Sequence, residues 1–239
     1  MAQPLIIAHR GASAVAPENT IAAFKAAITA GADGIEFDVR LTSDGVPVVI
    51  HDETLFRTHG VRQRVAEMTC KQLNDFDVPS LAQLFELFES NNLILYLELK
   101  DKQIRVAEEC CRLVQEYGLK DRVIFECFEH SALQTVKSID LGFKIAPLFQ
   151  PQSSFILKKA IAVGADEIAL HHRLTNKRLT EKARLANLNV VTWTVDDPAW
   201  ITRARTMNLH ALITNDPAAL ITAKTLFEAS DRIRVQWNR

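Results

Sequence analysis

The sequence predicts an α/β protein in which eight strand–helix units close into one barrel. Short β-branched runs alternate with amphipathic helical segments along the whole chain, as parallel strands joined by crossover helices require. The runs that qualify as barrel strands number eight, which favours closure over an open doubly wound sheet. A length of 239 residues suits such a barrel, for which about 250 is typical. The fold expected is therefore a single (β/α)8 TIM barrel over residues 1–239, with a short hairpin and loop insertion after the second strand.

The first strand is predicted at Leu5–Ala8, a run of four apolar residues. The second is predicted at Gly34–Leu41, interrupted by Glu36 and Asp38. Ser43-Asp44-Gly45 is a turn signal, so Val46–Ile50 is expected to fold back as an extra strand. Glu53–Pro79 is the most polar irregular stretch, expected to join that hairpin to the next helix and to overlie the barrel mouth. The remaining barrel strands are predicted at Leu93–Lys100, Arg122–Phe128, Phe143–Leu148, Glu167–His171, Val190–Val195 and Ala211–Thr214.

The helices carry start and stop signals. Asp101 can cap a helix whose Ile104, Ala107, Cys111 and Val114 recur at three- to four-residue spacing. Asp197-Pro198 and Asp216-Pro217 each place a cap before a proline suited to the first helical position. Ala30–Phe37 and Val163–Leu170 share a glycine that can adopt the left-handed helix cap before the chain re-enters a strand. Neither GxGxxG nor GxxxxGK[ST] occurs, which leaves the nucleotide-binding α/β folds without support. The charged tail Asp231–Arg239 is expected on the surface.

Composition narrows the class. Apolar residues make up 48% of the chain and the formal net charge is −1. Without a block of like charge, nucleic acid is not an expected partner. The start MAQPLIIAHRG lacks a basic n-region, and no apolar run approaches the ~20 residues of a membrane span. Cys70, Cys110, Cys111 and Cys127 show no C-x-x-C or zinc spacing. They read as reduced thiols, and the expected location is cytoplasmic. A homo-oligomer is compatible with this reading.

The chemistry should lie at the carboxyl ends of the strands. His9 and Arg10 follow the first apolar run, His51 and Asp52 end the extra strand, and Glu98 and Lys100 end the third barrel strand. Glu36 and Asp38, two apart on a strand, point to one face. Carboxylates converging inside a barrel repel one another and lose solvation, which a hard divalent cation relieves. All-oxygen ligands suit Mg²⁺, Ca²⁺ or Mn²⁺. The competing reading pairs these acids with Lys100, Arg40 or Arg10 as barrel salt bridges. His9 and His51 suggest a general acid and base beside the carboxylates. Arg10 and Lys100 offer a guanidinium fork and a point charge to a phosphate.

His9–Phe24 (HRGASAVAPENTIAAF), Gly31–Asp52 (GADGIEFDVRLTSDGVPVVIHD) and Leu95–Lys100 (LYLELK) strongly resemble the glycerophosphodiester phosphodiesterases, above all the small bacterial cytosolic members. Looser similarity continues through Val190–Asp197 and Leu212–Pro217, so it covers nearly the whole chain. The resemblance implies metal-dependent hydrolysis of glycerophosphodiesters, such as glycerophosphocholine or glycerophosphoethanolamine, to glycerol 3-phosphate and an alcohol. It implies Glu36, Asp38 and Glu98 as ligands of one divalent cation, Mg²⁺ or Ca²⁺ with Mn²⁺ as a third candidate. By the same resemblance His9 and His51 would be the catalytic pair, and Arg10 and Lys100 would hold the phosphate. Trp193 would pack against the glycerol or the second alcohol, or else serve only as a barrel-packing residue.

Glu18 and Asn19 are expected to organise the first loop and cap its helix. The chain departs from the family pattern at two places. Its insertion after His51-Asp52 is short, so a more open mouth is expected. Cys127 stands where a serine is usual, so a polar contact near the fourth barrel strand is expected to be missing. His59, His130 and His210 are read as structural; His171 and His172 end the sixth barrel strand and could reach the site, but the structural reading is favoured for them as well. Three rivals remain: a metal-independent sugar-phosphate aldolase or isomerase with a Schiff base at Lys100, a non-catalytic barrel that binds a phosphate ligand, and a phospholipase.

Overall fold

The computed structural model describes residues 3–100 and 104–237. Its strands are β1 (Leu5–His9), β2 (Gly34–Leu41), β3 (Pro47–Val49), β4 (Ile94–Leu99), β5 (Val123–Cys127), β6 (Lys144–Phe149), β7 (Glu167–His171), β8 (Asn189–Trp193) and β9 (Ala211–Thr214). Because β1 pairs with both β2 and β9, the strands other than β3 form a closed ring of eight, parallel throughout. β3 runs antiparallel to β2, with Val39 opposite Val49, and stays outside the ring.

The helices are α1 (Ile21–Ala30), α2 (Phe56–His59), α3 (Cys70–Asn74), α4 (Leu81–Phe88), α5 (Ile104–Glu116), α6 (His130–Ile139), α7 (Ile156–Ala162), α8 (Lys177–Leu185), α9 (Trp200–Met207) and α10 (Pro217–Trp237). The predicted barrel strands agree with the observed ones to within one or two residues.

Two-residue alternation divides each strand between two cores. Ile7, Tyr96, Ile124, Ala146, Leu148, Ala169, Val191, Ala211 and Ile213 fill the barrel. Ala8, Ile35, Phe37, Leu95 and Phe125 face outward and join Phe24, Phe85 and Phe88 from the helices. Gly34 sits where the ring is tight: a Cβ there would lie 2.5 Å from the Ile94 carbonyl oxygen. The amino-terminal end of the barrel is closed by a polar group, in which the Tyr96 hydroxyl donates to Glu167 Oε2 at 2.9 Å and Asn189 Nδ2 to Glu167 Oε1 at 3.3 Å.

Several caps match expectation. α1 ends on Gly31 at φ 81°, and Gly164 after α7 has φ 69°. Asp216 accepts from Ala219 N at 3.0 Å ahead of Pro217. Asp197 behaves differently. It accepts from Ala199 N, while Trp200 N and Ile201 N bond three residues back, so a tight turn precedes α9 and the helix begins at Trp200. Asp101 lies outside the described residues.

Glu53–Pro79 is not irregular. It forms α2, a 3₁₀ turn at Val65–Glu67 and α3, around a small core of Val48, Ile50, Leu55, Val65, Met68, Leu73 and Val78. Those apolar residues are too widely spaced for either periodicity to reveal them. Arg57 of α2 ties the segment to the rim of the mouth through Glu18 and Asp52. The expected tail is helical as far as Trp237, where α10 ends; Asn238 and Arg239 lie outside the described residues.

Candidate active site

The register of the ring brings the polar residues of neighbouring strands to one depth. His9 lies opposite Glu36, Asp38 opposite Glu98, and Glu98 opposite Glu126. One oxygen from each of Glu36, Asp38 and Glu98 falls within 4.8 Å of the others, and all three residues are buried. Arg10 is held at φ 56° and Gly11 at φ 80°, a left-handed pair just past β1. Gly11 is needed there, because a Cβ would meet the Ala23 backbone at 2.7 Å. This bend aims the Arg10 amide at Glu36 Oε2, 3.0 Å away, and its Nε at Asp38 Oδ2, at 3.2 Å.

Lys100 Nζ donates to Glu98 Oε1 at 2.7 Å and stands 3.2 Å from Asp38 Oδ1 without hydrogen-bonding alignment. Arg10 and Lys100 thus form salt bridges of the competing reading, while Arg40 Nε donates to the His51 carbonyl at 2.9 Å. The two cations do not balance the acids evenly. Burial opposes the Asp38 carboxylate, but Lys100 and Arg10 overcome it and hold its pKa below the ordinary value. Burial, Asp38 and Glu98 push Glu36 well above its usual range, and burial with Asp38 raises Glu98 to about 7. A divalent cation among these oxygens would reverse both upward shifts, and the hard, all-oxygen donor set fits one.

The two histidines are oriented by different partners. His51 Nδ1 donates to Asp52 Oδ1 at 2.5 Å, and Asp52 in turn accepts from Arg57 Nε at 2.6 Å. His9 Nδ1 lies 2.7 Å from Asn215 Oδ1. The Asn215 amide must donate its Nδ2 to Asp196 Oδ2, 2.8 Å away, so its oxygen faces His9 and the imidazole carries the Nδ1 proton. His9 Nε2 then faces Glu36 Oε2 at 3.8 Å. Burial lowers the pKa of both imidazoles. Arg57 also grips Glu18 with both terminal nitrogens, at 2.9 and 2.6 Å, and Glu18 accepts from Arg10. The rim is thereby tied from His51 round to Arg10.

A cavity of about 160 Å³ is lined by His9, Arg10, Glu36, His51, Glu98 and Lys100, so the structure brings these predicted residues together; Asp38 lies beneath them. Trp193, Phe128, Leu148 and Ile213 form the apolar wall, and Glu126 completes the lining. Trp193 packs edge-on against Phe128 and His171, and its indole N–H is buried without a partner among the described residues. His171 therefore supports Trp193 instead of lining the cavity. His59 and His130 pack against Phe76 and Phe149, and His210 lies 3.5 Å from Glu167 at the opposite end. The larger groove of about 600 Å³ between α1 and α4 gathers no comparable group of residues.

Two expectations are corrected. Asn19 does not cap α1, because Thr20 does so by accepting from Ala23 N. Asn19 instead donates to buried Asp38 Oδ2 at 2.8 Å, a contact across 19 positions that local sequence cannot show. Cys127 does not leave a contact missing: its thiol donates to the Leu99 carbonyl at 3.1 Å and accepts from Glu129 N at 3.3 Å. Asp52, Asn215, Asp196 and Glu126 went unassigned in the sequence. Glu126 had a readable signal, being the one polar residue inside the apolar run VIFEC.

The chain is similar to known proteins in both sequence and fold. The sequence model of the Glycerophosphoryl diester phosphodiesterase family matches residues 9–219. A glycerophosphodiester phosphodiesterase of Caldanaerobacter subterraneus subsp. tengcongensis is 34% identical over 235 residues, covering 91% of this chain and 96% of that protein. The crystal structure of a glycerophosphodiester phosphodiesterase from Agrobacterium tumefaciens superposes with a TM-score of 0.79 at 28% identity, over 91% of this chain and 98% of the other. A phosphodiesterase of Oleispira antarctica, solved in complex with the product sn-glycerol-3-phosphate, shares the fold with a TM-score of 0.85 at 22% identity, over 92% and 96% of the two chains.

Proposed function

The chain belongs to the glycerophosphoryl diester phosphodiesterase family and is an enzyme of that kind, and on that premise we propose that it hydrolyses glycerophosphodiesters to glycerol 3-phosphate and an alcohol with two histidines and a divalent cation. Glycerophosphocholine and glycerophosphoethanolamine are the substrates this reading favours. One observation carries it: two imidazoles with fixed Nδ1 partners line the small cavity together with Glu36 and Glu98, two members of the buried triad whose third, Asp38, lies within 4.8 Å of both. Glu36, Asp38 and Glu98 would hold the cation, Mg²⁺, Ca²⁺ or Mn²⁺, which when bound supplies Lewis-acid polarisation of a phosphate oxygen.

The protein's own groups perform the proton transfers. One imidazole takes the proton of the attacking oxygen through Nε2, and the other returns a proton to the leaving alkoxide. Asp52 stabilises the imidazolium that His51 becomes after accepting a proton, and Asn215 keeps His9 in one tautomer. Arg10 and Lys100 offset charge developing on the phosphoryl oxygens. Trp193 walls the side where an alcohol arm would lie. A Schiff base at Lys100 is disfavoured, since Asp38 and Glu98 outweigh burial and keep its ammonium protonated. A cytoplasmic location is part of the same reading, supported by four cysteines that form no disulfide among the described residues. Among the described residues no helix is long and apolar enough to cross a membrane.

Release of glycerol 3-phosphate from glycerophosphocholine is expected to stop with EDTA and return on adding Mg²⁺, Ca²⁺ or Mn²⁺. Equal turnover after chelation and gel filtration would sink the metal-dependent reading.

A further inference from the structure

Glu126 has no part in the mechanism above, yet it is the least explained polar group in the barrel. It is 1% exposed on β5, it lines the reaction cavity, and its Oε1 is buried with no hydrogen-bond partner among the described residues. A buried carboxyl oxygen left unmatched is costly, of order 1–3 kcal/mol, so a fold rarely keeps one without a use. Its oxygens are not close enough to the others to belong to the acid triad. Nor does it join the closing group at the far end, where Glu167 takes the Tyr96 and Asn189 bonds.

The surroundings say what would satisfy it. Glu126 lies in register with Glu98 on one side and with Ala146, a small residue, on the other. The cavity beyond it is walled by Leu148, Ile213, Phe128 and Trp193, none of which has a hydroxyl to offer. A ligand anchored by phosphate at Arg10 and Lys100 would therefore run along apolar side chains and pass one lone oxygen acceptor. An aliphatic arm bearing hydroxyls matches that sequence of surfaces. At about 160 Å³ the space is small beside the ~300–1,000 Å³ of sites that enclose larger ligands, so it takes one short arm and leaves the other outside.

We propose that Glu126 is a specificity-determining residue that accepts a hydrogen bond from a hydroxyl of the glycerol arm and so selects a polyol phosphate over a simple alkyl phosphate. The inference rests on the function proposed above. Accepting a hydroxyl hydrogen requires only an oxygen, so Glu126→Gln should retain most of the selectivity and Glu126→Leu should lose it.

The test is calorimetric titration of the Mg²⁺-loaded protein with sn-glycerol 3-phosphate and with n-propyl phosphate, which lacks both hydroxyls. The wild type should bind the glycerol compound about ten- to a hundredfold more tightly, the range of one hydrogen bond to a charged or buried group. Glu126→Leu should bring the two ligands within about threefold while Mg²⁺ affinity stays unchanged, and Glu126→Gln should stay near the wild type. Glu126→Met replaces the Leu variant should the latter not fold. The idea is overturned if the preference survives in the apolar variant, if both phosphates weaken equally there, or if Mg²⁺ affinity falls. A wild type that binds both alike defeats this inference alone; one that binds neither defeats the functional reading with it.

Discussion

His9 and His51 occupy equivalent places at two strand ends, but their neighbours make them different. His51 leans on a carboxylate, Asp52, that Arg57 holds in place; His9 leans on a neutral amide. Burial lowers the pKa of His51, and the hydrogen bond to Asp52 works against that fall. In Asp52→Asn the opposing contribution is gone, so the imidazole titrates at a lower pH. The acid limb of kcat/KM should move to lower pH, and kcat should drop at least about tenfold, the size usual for supporting hydrogen-bond partners. A pH–rate profile superimposable on the wild type would deny Asp52 this role. Seven of the eight candidate site residues could be found because each is a polar side chain in or beside an apolar run, whereas Trp193 enters through the family resemblance alone. Asn19, Asn215 and Asp196 could not, since their partners lie 19, 206 and 19 positions away.

At the scale of elements, α1 shows how the helical layer steadies the mouth. Phe24 is fully buried and meets Phe37 of β2 and Phe88 of α4 edge-on, at centroid distances of 6.3 and 6.0 Å. Its neighbour Ala23 holds the Gly11 turn that aims Arg10. Phe24→Ala should lower stability by about 3–5 kcal/mol, read from urea unfolding, because the cavity left between β2 and α4 collapses only in part. A loss under about 1 kcal/mol would mean that this junction relaxes freely. Element identity was legible where periodicity was strong, as in the eight barrel strands. It failed in Glu53–Pro79, where short helices share a core too dispersed to register, and at Asp197, where a tight turn takes the place of the first helical turn.

For the molecule as a whole, strand register decides the electrostatics. The β2–β4 pairing brings carboxylates from two strands within 4.8 Å beside Lys100, and the pairing of β1 with β2 adds Arg10 as the second counter-charge. Removing one acid should relieve the metal-free protein: Glu36→Gln should melt higher than the wild type in EDTA. The wild type should gain about 5–10 °C when the cation is a hundredfold above its dissociation constant, and the variant much less. Differential scanning calorimetry with EDTA and with Mg²⁺ or Ca²⁺ checks this, and a wild-type melting temperature indifferent to either cation would contradict a metal at the triad. Sequence alone determined the strand and helix alternation, and it singled out the acids and histidines, because two-residue and 3.6-residue periods are local properties of the chain. Tertiary structure alone decided which oxygens converge, which partner orients each imidazole, and that Glu126 faces the cavity unmatched. Those facts depend on strand register and ring closure, which join residues far apart in the chain and leave no local trace.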